Sequence, residues 1–224
     1  MKHRLSALAF AAGFAALPAL ANDAGLDQAI LDVQHQWEQI NYKLPDDQKL
    51  AAYEALERHE TALEAQYPGR PEPLTWHGIT LSSHAGAKGG LGALGLAKEA
   101  RRELQAAERI DANALQGSIY TSLGTLYYKV PGWPIGFGDD DKAEAYLKKA
   151  LQVNPNGIDP NYFYADFLYG KHHYREAMQA LEKALAAPAR PQRPLADSGR
   201  HGEIHALMEK IRKDAGNDLK SAER

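Results

Sequence analysis

The stretch NYFYADFLYGKHHYREAMQALEKALAAP, residues 161–188, carries the pattern that decides the fold. Ala165 and Ala177 lie twelve positions apart, and Leu181 and Ala184 follow at helical spacing. Small residues at such places let two helices approach closely, while the larger residues fill the space between them. Pro188 ends the second helix, because proline cannot continue a helical hydrogen-bond ladder. The stretch therefore predicts a tight hairpin of two antiparallel helices.

Two upstream segments repeat this arrangement with longer connections between the helices. In the nearer segment, Gly124 and Ala143 take the two small positions, nineteen residues apart. In the farther one, Thr80 and Ala100 take them, twenty residues apart. The additional residues fall in segments rich in glycine or proline, which break helices. We therefore expect loop insertions at about residues 82–95 and 130–138.

The repeated pattern resembles the tetratricopeptide repeat (TPR), a helical hairpin of about 34 residues. The resemblance covers roughly residues 73–188. It implies an all-α, right-handed superhelix of antiparallel hairpins, with a concave surface lined mainly by the first helix of each hairpin. A narrower resemblance, in compartment, size and aromatic-rich repeats, is to exported TPR proteins such as the T component of TRAP transporters.

The rest of the chain divides around the three repeats, which we place at residues 71–189. Residues 22–70 carry apolar residues at helical spacing and predict a degenerate helical pair. An Arg/Pro linker and one capping helix are expected over residues 190–216, because a solenoid needs a polar-backed helix at its end. The charged segment 217–224 is expected to be a frayed tail.

The first 21 residues have the features of a secretory signal peptide. Residues 1–4 are basic, residues 5–17 are apolar but too short to span a bilayer, and Ala19-Leu20-Ala21 fits the small-x-small cleavage pattern. We expect a mature chain from Asn22, without a membrane span, in a bacterial periplasm. The sequence contains no cysteine, which excludes disulfides and the anchor of a lipoprotein.

Composition and motifs argue against several classes of function. The net charge of −3 gives no basic field of the kind that binds nucleic acid. The sequence lacks a nucleophile elbow, CxxC and HExxH, so we predict neither an enzyme nor a cofactor. Residues 139–141 are three aspartates, which we interpret as the N-terminal cap of a helix. His201 and His205 lie on one helix face without a third ligand nearby, and we predict no metal site.

The aromatic residues of the last two repeats supply most of the candidate binding residues. Those that fall off the core register are predicted to face a groove, together with one asparagine: Tyr128, Tyr162, Tyr169 and Asn161. In the second insertion, Trp133 either seals the hairpin by packing on Tyr127 and Tyr128, or it borders a site together with Phe137. His77 and His84, beside the glycine-rich segment, complete the candidate set.

We predict a non-catalytic periplasmic scaffold that binds a protein or peptide in its concave, aromatic-rich groove. The alternative, implied by the resemblance to the TRAP T component, is a small-ligand-binding accessory of a solute uptake system, with an apolar or carboxylate ligand. An enclosed pocket bordered by Tyr128, Trp133 and Tyr162 would favour the second hypothesis. A basic cluster could bind such a carboxylate or pair with acidic side chains of the chain itself: Arg190, Arg193 and Arg200, with Glu182, Asp197 or Glu203.

Overall fold

A computed structural model of the protein describes the backbone of residues 17–222 and the side chains of residues 24–90 and 92–216. Most of the predicted signal peptide lies outside these residues. The described backbone forms nine helices and no β-strand: α1 (Leu17–Tyr42), α2 (Asp46–Gln66), α3 (Pro71–Lys88), α4 (Gly90–Asp111), α5 (Ala114–Lys129), α6 (Asp140–Val153), α7 (Ile158–Gly170), α8 (Tyr174–Leu185) and α9 (Pro194–Ala222).

Helices α3 to α8 form three hairpins, and glycine allows the close approach within two of them. A Cβ at position 124 of α5 would lie 2.7 Å from Cγ of Leu147 in α6. A Cβ at position 78 of α3 would lie 2.6 Å from Cγ of Leu104 in α4. Gly78 therefore occupies the small position of the first hairpin, and the assignment of that position to Thr80 was wrong.

The second helices of the three hairpins bury the residues that the pattern predicted. Each contributes one large and two small side chains to the contact with its partner helix, and none of the nine is accessible to solvent: Ala100, Leu104, Ala107, Ala143, Leu147, Ala150, Ala177, Leu181 and Ala184. Burying one leucine in this way stabilises the fold by about 2 kcal/mol, so this layer is a main source of stability.

The two predicted insertions have different structures. Residues 130–138 form a loop between α5 and α6, and Asp139 caps α6 by accepting a hydrogen bond from the backbone N–H of Lys142. Residues 82–95, in contrast, are helical except at Gly89, whose φ of 61° makes the turn. The expectation of a loop there was wrong, because the alanine, leucine and lysine residues between the glycines favour helix. The additional residues lengthen α3 and α4.

The inner layer of the protein closes into a ring. The first helices of successive hairpins contact one another in the order α1, α3, α5, α7 and α9, and α9 also contacts α1. At this seam, Nε of Arg193 donates to Glu38 across 2.6 Å. Gly199 permits the approach, since a Cβ there would lie 2.4 Å from the ring of Tyr42. The closure goes beyond the predicted capping role of the last helix.

Helix α9 is also longer than expected. It was predicted to end near residue 216, but it remains helical to Ala222, through most of the segment expected to be frayed. Among the residues that the structure describes, no helix is both long enough and apolar enough to cross a membrane.

Candidate functional site

The ring of inner helices surrounds a cavity of about 580 Å³. This volume lies within the range of about 300–1,000 Å³ that is usual for ligand sites. Helices α1, α3, α5, α7 and α9 all contribute to its wall, as do the connections before α7 and α9, whereas α2, α4, α6 and α8 do not. The cavity is therefore the concave side of the repeat array.

One part of the cavity wall is aromatic. The rings of Trp37 and Trp76 meet edge to face with centroids 6.1 Å apart, and Phe163 lines the cavity from α7. The indole N–H of Trp37 donates to Oγ of Ser83 across 2.9 Å, which fixes the orientation of that ring. Such fixed aromatic faces suit the anchoring of an apolar group.

Another part of the wall is polar and uncharged. Hydroxyl groups line it from α3 and α5: Ser82, Ser83, Ser118, Thr121, Ser122 and Thr125. Several of them donate to the backbone carbonyl four residues earlier, as Thr125 does to Thr121 across 2.8 Å. Each of these hydroxyl oxygens retains the capacity to accept a hydrogen bond from a bound group.

The start of α5 has an unusual backbone at the cavity. Leu115 and Gln116, which both line it, have φ angles of 51° and 54°. Residues other than glycine rarely adopt this left-handed conformation, and such strain gathers at binding and catalytic sites. Gly117 continues the left-handed turn with φ of 81°, and Ser118 then donates back to the carbonyl of Leu115 across 2.6 Å.

An ionic cluster borders the cavity beside α7. Asp159 accepts hydrogen bonds from Nη1 of Arg190 at 2.7 Å and from Nε of Arg200 at 2.8 Å. Burial alone would raise the pKa of Asp159, but the charges of Arg200, Arg190 and Arg193 hold it well below its ordinary range. Arg190 also donates to Asp197 across 2.6 Å. The charges of Arg190 and Arg200 are therefore neutralised within the protein.

The guanidinium of Arg193 donates from fewer of its nitrogen atoms within the protein than those of Arg190 and Arg200. Its Nε donates to Glu38, and its guanidinium carbon lies 5.1 Å from the centroid of the Trp76 ring. No described residue accepts from its Nη atoms, and Arg193 lines the cavity. The sequence correctly suggested Asp197 and Glu203 as arginine partners. It missed Asp159 and Glu38, and among the described residues no ion pair joins Glu182 to an arginine.

Comparison with known proteins agrees with this geometry. Residues 135–211 match the model of the tetratricopeptide repeat family. A crystal structure of a thermophilic TPR protein from Thermus thermophilus is similar, with a TM-score of 0.53 over 85% of this chain and 94% of that one, at 21% sequence identity. The protein has the TPR fold. No similar protein was found among curated sequences.

None of the eight residues predicted to form the TPR binding surface lines the cavity. Three tyrosines instead make contacts between neighbouring helices. The hydroxyl of Tyr128 donates to Asp166 across 2.6 Å, and that of Tyr169 donates to Asp214 across the same distance. Tyr162 packs against the guanidinium of Arg200, whose carbon lies 4.5 Å from the ring centroid. Tyr128, Trp133 and Tyr162, which would border an enclosed pocket under the small-ligand hypothesis, do not line the central cavity.

Asn161 is buried rather than exposed to the groove. Only 2% of its surface is accessible to solvent. Its side-chain nitrogen donates to the carbonyls of Pro155 and Gly157, at 2.9 and 2.8 Å. The side chain therefore holds the connection between α6 and α7, and its prediction as a groove residue was wrong.

The two aromatic residues of the loop at 130–138 have opposite environments. Phe137 packs edge to face on Tyr127, with centroids 5.7 Å apart, and the guanidinium of Arg101 lies 4.0 Å from its ring centroid. Trp133 remains 89% exposed, and Ile135 is 62% exposed. Phe137 thus seals the hairpin, whereas Trp133 does not fold back onto it.

His77 and His84 belong to a buried polar ladder between α2 and α3, outside the cavity. On α2, Glu57, Glu60 and Glu64 follow one another at helical spacing, and on α3 their partners are His84, Thr80 and His77. Each imidazole Nδ1 lies 2.7 Å from a glutamate oxygen, and Thr80 donates to Glu60 across 2.7 Å. The sequence singled out the two histidines but not the glutamates opposite them.

Proposed function

We propose that the protein is a non-catalytic, exported TPR scaffold that binds a short segment of a partner protein in its central cavity. TPR arrays generally provide concave surfaces for other proteins. The observation that carries the proposal is the cavity itself, since every inner helix contributes to its wall. Its volume of about 580 Å³ suits a few residues of an extended chain, not a folded domain.

The chemistry of the wall suggests how such a segment is recognised. An apolar side chain would pack on the fixed faces of Trp37, Trp76 and Phe163. The Nη atoms of Arg193 would donate to a carbonyl or carboxylate oxygen of the segment. Binding energy would thus come from a few buried anchors, with the hydroxyl groups of α3 and α5 accepting backbone N–H groups.

Site-specific photocrosslinking in cells tests the proposal. A photoreactive amino acid at Thr125, in the cavity, is expected to yield an adduct with one partner protein, which mass spectrometry identifies. The matched control carries the same amino acid at Lys148, which is exposed on α6. Equal adducts from both positions, or none from Thr125, would contradict a partner segment in the cavity.

A small ligand is the second candidate occupant of the cavity. The contact between α1 and α9 closes the ring of inner helices, and this closure favours a small ligand over a long peptide that passes through the cavity. Native mass spectrometry of the purified protein separates the two candidates. A bound small molecule that is lost on denaturation would support the ligand, and a Phe163→Ala substitution in the cavity wall should reduce its occupancy.

Export is the part of the proposal that rests on the sequence alone. The pattern of residues 1–21 supports a cleaved signal peptide. Mass spectrometry of the protein from a periplasmic fraction is expected to find a mature N-terminus at Asn22. Recovery of the full-length chain from the cytoplasmic fraction would contradict export.

A further inference from the structure

A second convergence of chemically active side chains lies away from the cavity, where α2, α3 and α4 meet. Glu64 of α2, His77 of α3 and Glu103 of α4 each offer one potential ligand atom, and these atoms all lie within 4.8 Å of one another. The closest pair is Nδ1 of His77 and Oε1 of Glu64, at 2.7 Å. His77 is buried, and both carboxylates are largely shielded from solvent.

Glu64 and Glu103 place two carboxylate charges beside His77. The cation that pairs with Glu103 is Arg102, which is mostly exposed and makes both of its contacts to Oε1 of that carboxylate. A divalent cation would neutralise this charge, which an exposed arginine does only in part.

Glu60 is a buried carboxyl group that acts electrostatically on His77. Its side chain is fully buried, and Thr80 donates to its Oε1. Its other oxygen, Oε2, has no hydrogen-bond partner among the described residues. Burial raises the pKa of Glu60 to about 8, so the group is mainly an uncharged carboxylic acid at neutral pH, and a cation bound nearby would favour its ionised form.

Space for a ligand adjoins His77. A depression of about 310 Å³ lies beside it, with Glu57, Glu99, Leu81 and the cationic Arg58 in its wall. A metal bound by three protein ligands commonly keeps one further coordination position for water or another small ligand. The depression would give such a position access to solvent.

We propose that Glu64, His77 and Glu103 bind one divalent transition-metal ion, with Zn²⁺ as the occupant. One imidazole and two carboxylates form a ligand set that Zn²⁺ accepts, and the imidazole disfavours Mg²⁺ and Ca²⁺. The bound ion joins the N-terminal helical pair to the first hairpin.

Calorimetric titration of the full-length, chelator-treated protein with Zn²⁺ tests the site. The wild type is expected to bind one ion per chain, with Mn²⁺ and Ca²⁺ at least tenfold weaker. Glu64→Gln and Glu103→Gln each keep the shape of the side chain but remove its charge, and each should weaken Zn²⁺ binding at least tenfold. The control His201→Gln/His205→Gln, which removes two histidines of α9, should leave the affinity unchanged.

A spectroscopic measurement on the wild type covers the case in which the variants fold poorly. X-ray absorption of the Zn²⁺-loaded protein should show a first shell of one nitrogen and two or more oxygens, with the outer-shell signature of one imidazole. No stoichiometric binding by the wild type, full affinity in both glutamine variants, a shell with two imidazoles, or loss of binding in the His201/His205 control would each overturn the proposal.

Discussion

Arg193 and Glu38, 155 residues apart in the sequence, form an ion pair across 2.6 Å where α9 meets α1. Glu38 is only 2% exposed, so the pair is largely removed from water. Removing one partner of such a pair leaves a buried charge without compensation, which is far more costly than losing a surface pair. The stability of the whole ring therefore depends on a contact between its two ends.

Replacement of Arg193 by alanine should lower the free energy of unfolding by about 3 kcal/mol, because it leaves the Glu38 carboxylate buried and unpaired. Urea denaturation followed by circular dichroism measures this. Arg212→Ala is the matched control: it removes the exposed pair with Glu209 and should cost less than about 1 kcal/mol. Similar losses in both variants would contradict a structural role for the seam.

Stability should also fall in acid because of Asp159. Its pKa is held below the ordinary value by the arginines around it, so its contribution is present above an ordinary pKa of about 4 and is lost as the pH falls towards the folded-state value. Melting temperatures measured from pH 7 to pH 2 should decline below about pH 4. Asp159→Asn should flatten this decline, whereas Asp32→Asn, at an exposed carboxylate, should not.

Substitution of Gly124 by alanine should destabilise the protein by about 1–3 kcal/mol. The new Cβ would lie 2.7 Å from Cγ of Leu147 and 3.2 Å from the carbonyl oxygen of Ala143, so α5 and α6 would have to separate. Gly202→Ala has open space around its Cβ and should be neutral or slightly stabilising, since alanine favours helix. Thermal unfolding of the two variants makes the comparison, and a neutral Gly124→Ala would contradict the tight packing.

The contribution of the loop at 130–138 to the stability of the protein should come from Phe137 and not from Trp133. Phe137→Ala removes the ring between Tyr127 and Arg101 and should cost about 2 kcal/mol. Trp133→Ala removes a side chain that is 89% exposed and should change the free energy of unfolding by less than about 0.5 kcal/mol. Chemical denaturation of both variants tests the order, and a larger loss for Trp133→Ala would reverse our description of the loop.

The hairpins could be predicted because their packing is encoded locally. Ala165 and Ala177 lie close in sequence, and the fold requires them to be small. The same spacing misplaced the small position of the first hairpin at Thr80. Gly78, two residues earlier than Thr80, makes the contact with Leu104. Where glycine is frequent, as in residues 82–95, spacing alone could not separate a longer helix from a loop.

The cavity and its surroundings could not be predicted in the same way, because they depend on contacts between distant elements. Closure of the ring places Arg193 beside Glu38, and no periodic pattern connects these two positions. The wall of the cavity is rich in serine and threonine from α5, residues that carry no distinctive motif. The aromatic residues that the sequence suggested for a binding surface, such as Tyr128 and Tyr169, pack between helices.

The pairing of glutamates on α2 with histidines on α3 could be predicted from the sequence only in part. His77 and His84 are candidates from the sequence alone, and Glu57 and Glu64 share their seven-residue separation. A comparison of polar spacing on adjacent predicted helices could have suggested the pairing. Glu103 lies on a third helix, so its approach to His77 follows only from the packing of α4.

The contact between α1 and α9 also limits how this architecture can change in evolution. An open array can gain or lose a hairpin at either end, since each hairpin touches only its neighbours. Here the last helix returns to the first, and one further hairpin would separate Arg193 from Glu38 and leave Gly199 without the ring of Tyr42 to accommodate. The number of hairpins is thus fixed by the circumference, and related chains should vary in the length of their helices and loops before they vary in the number of their repeats.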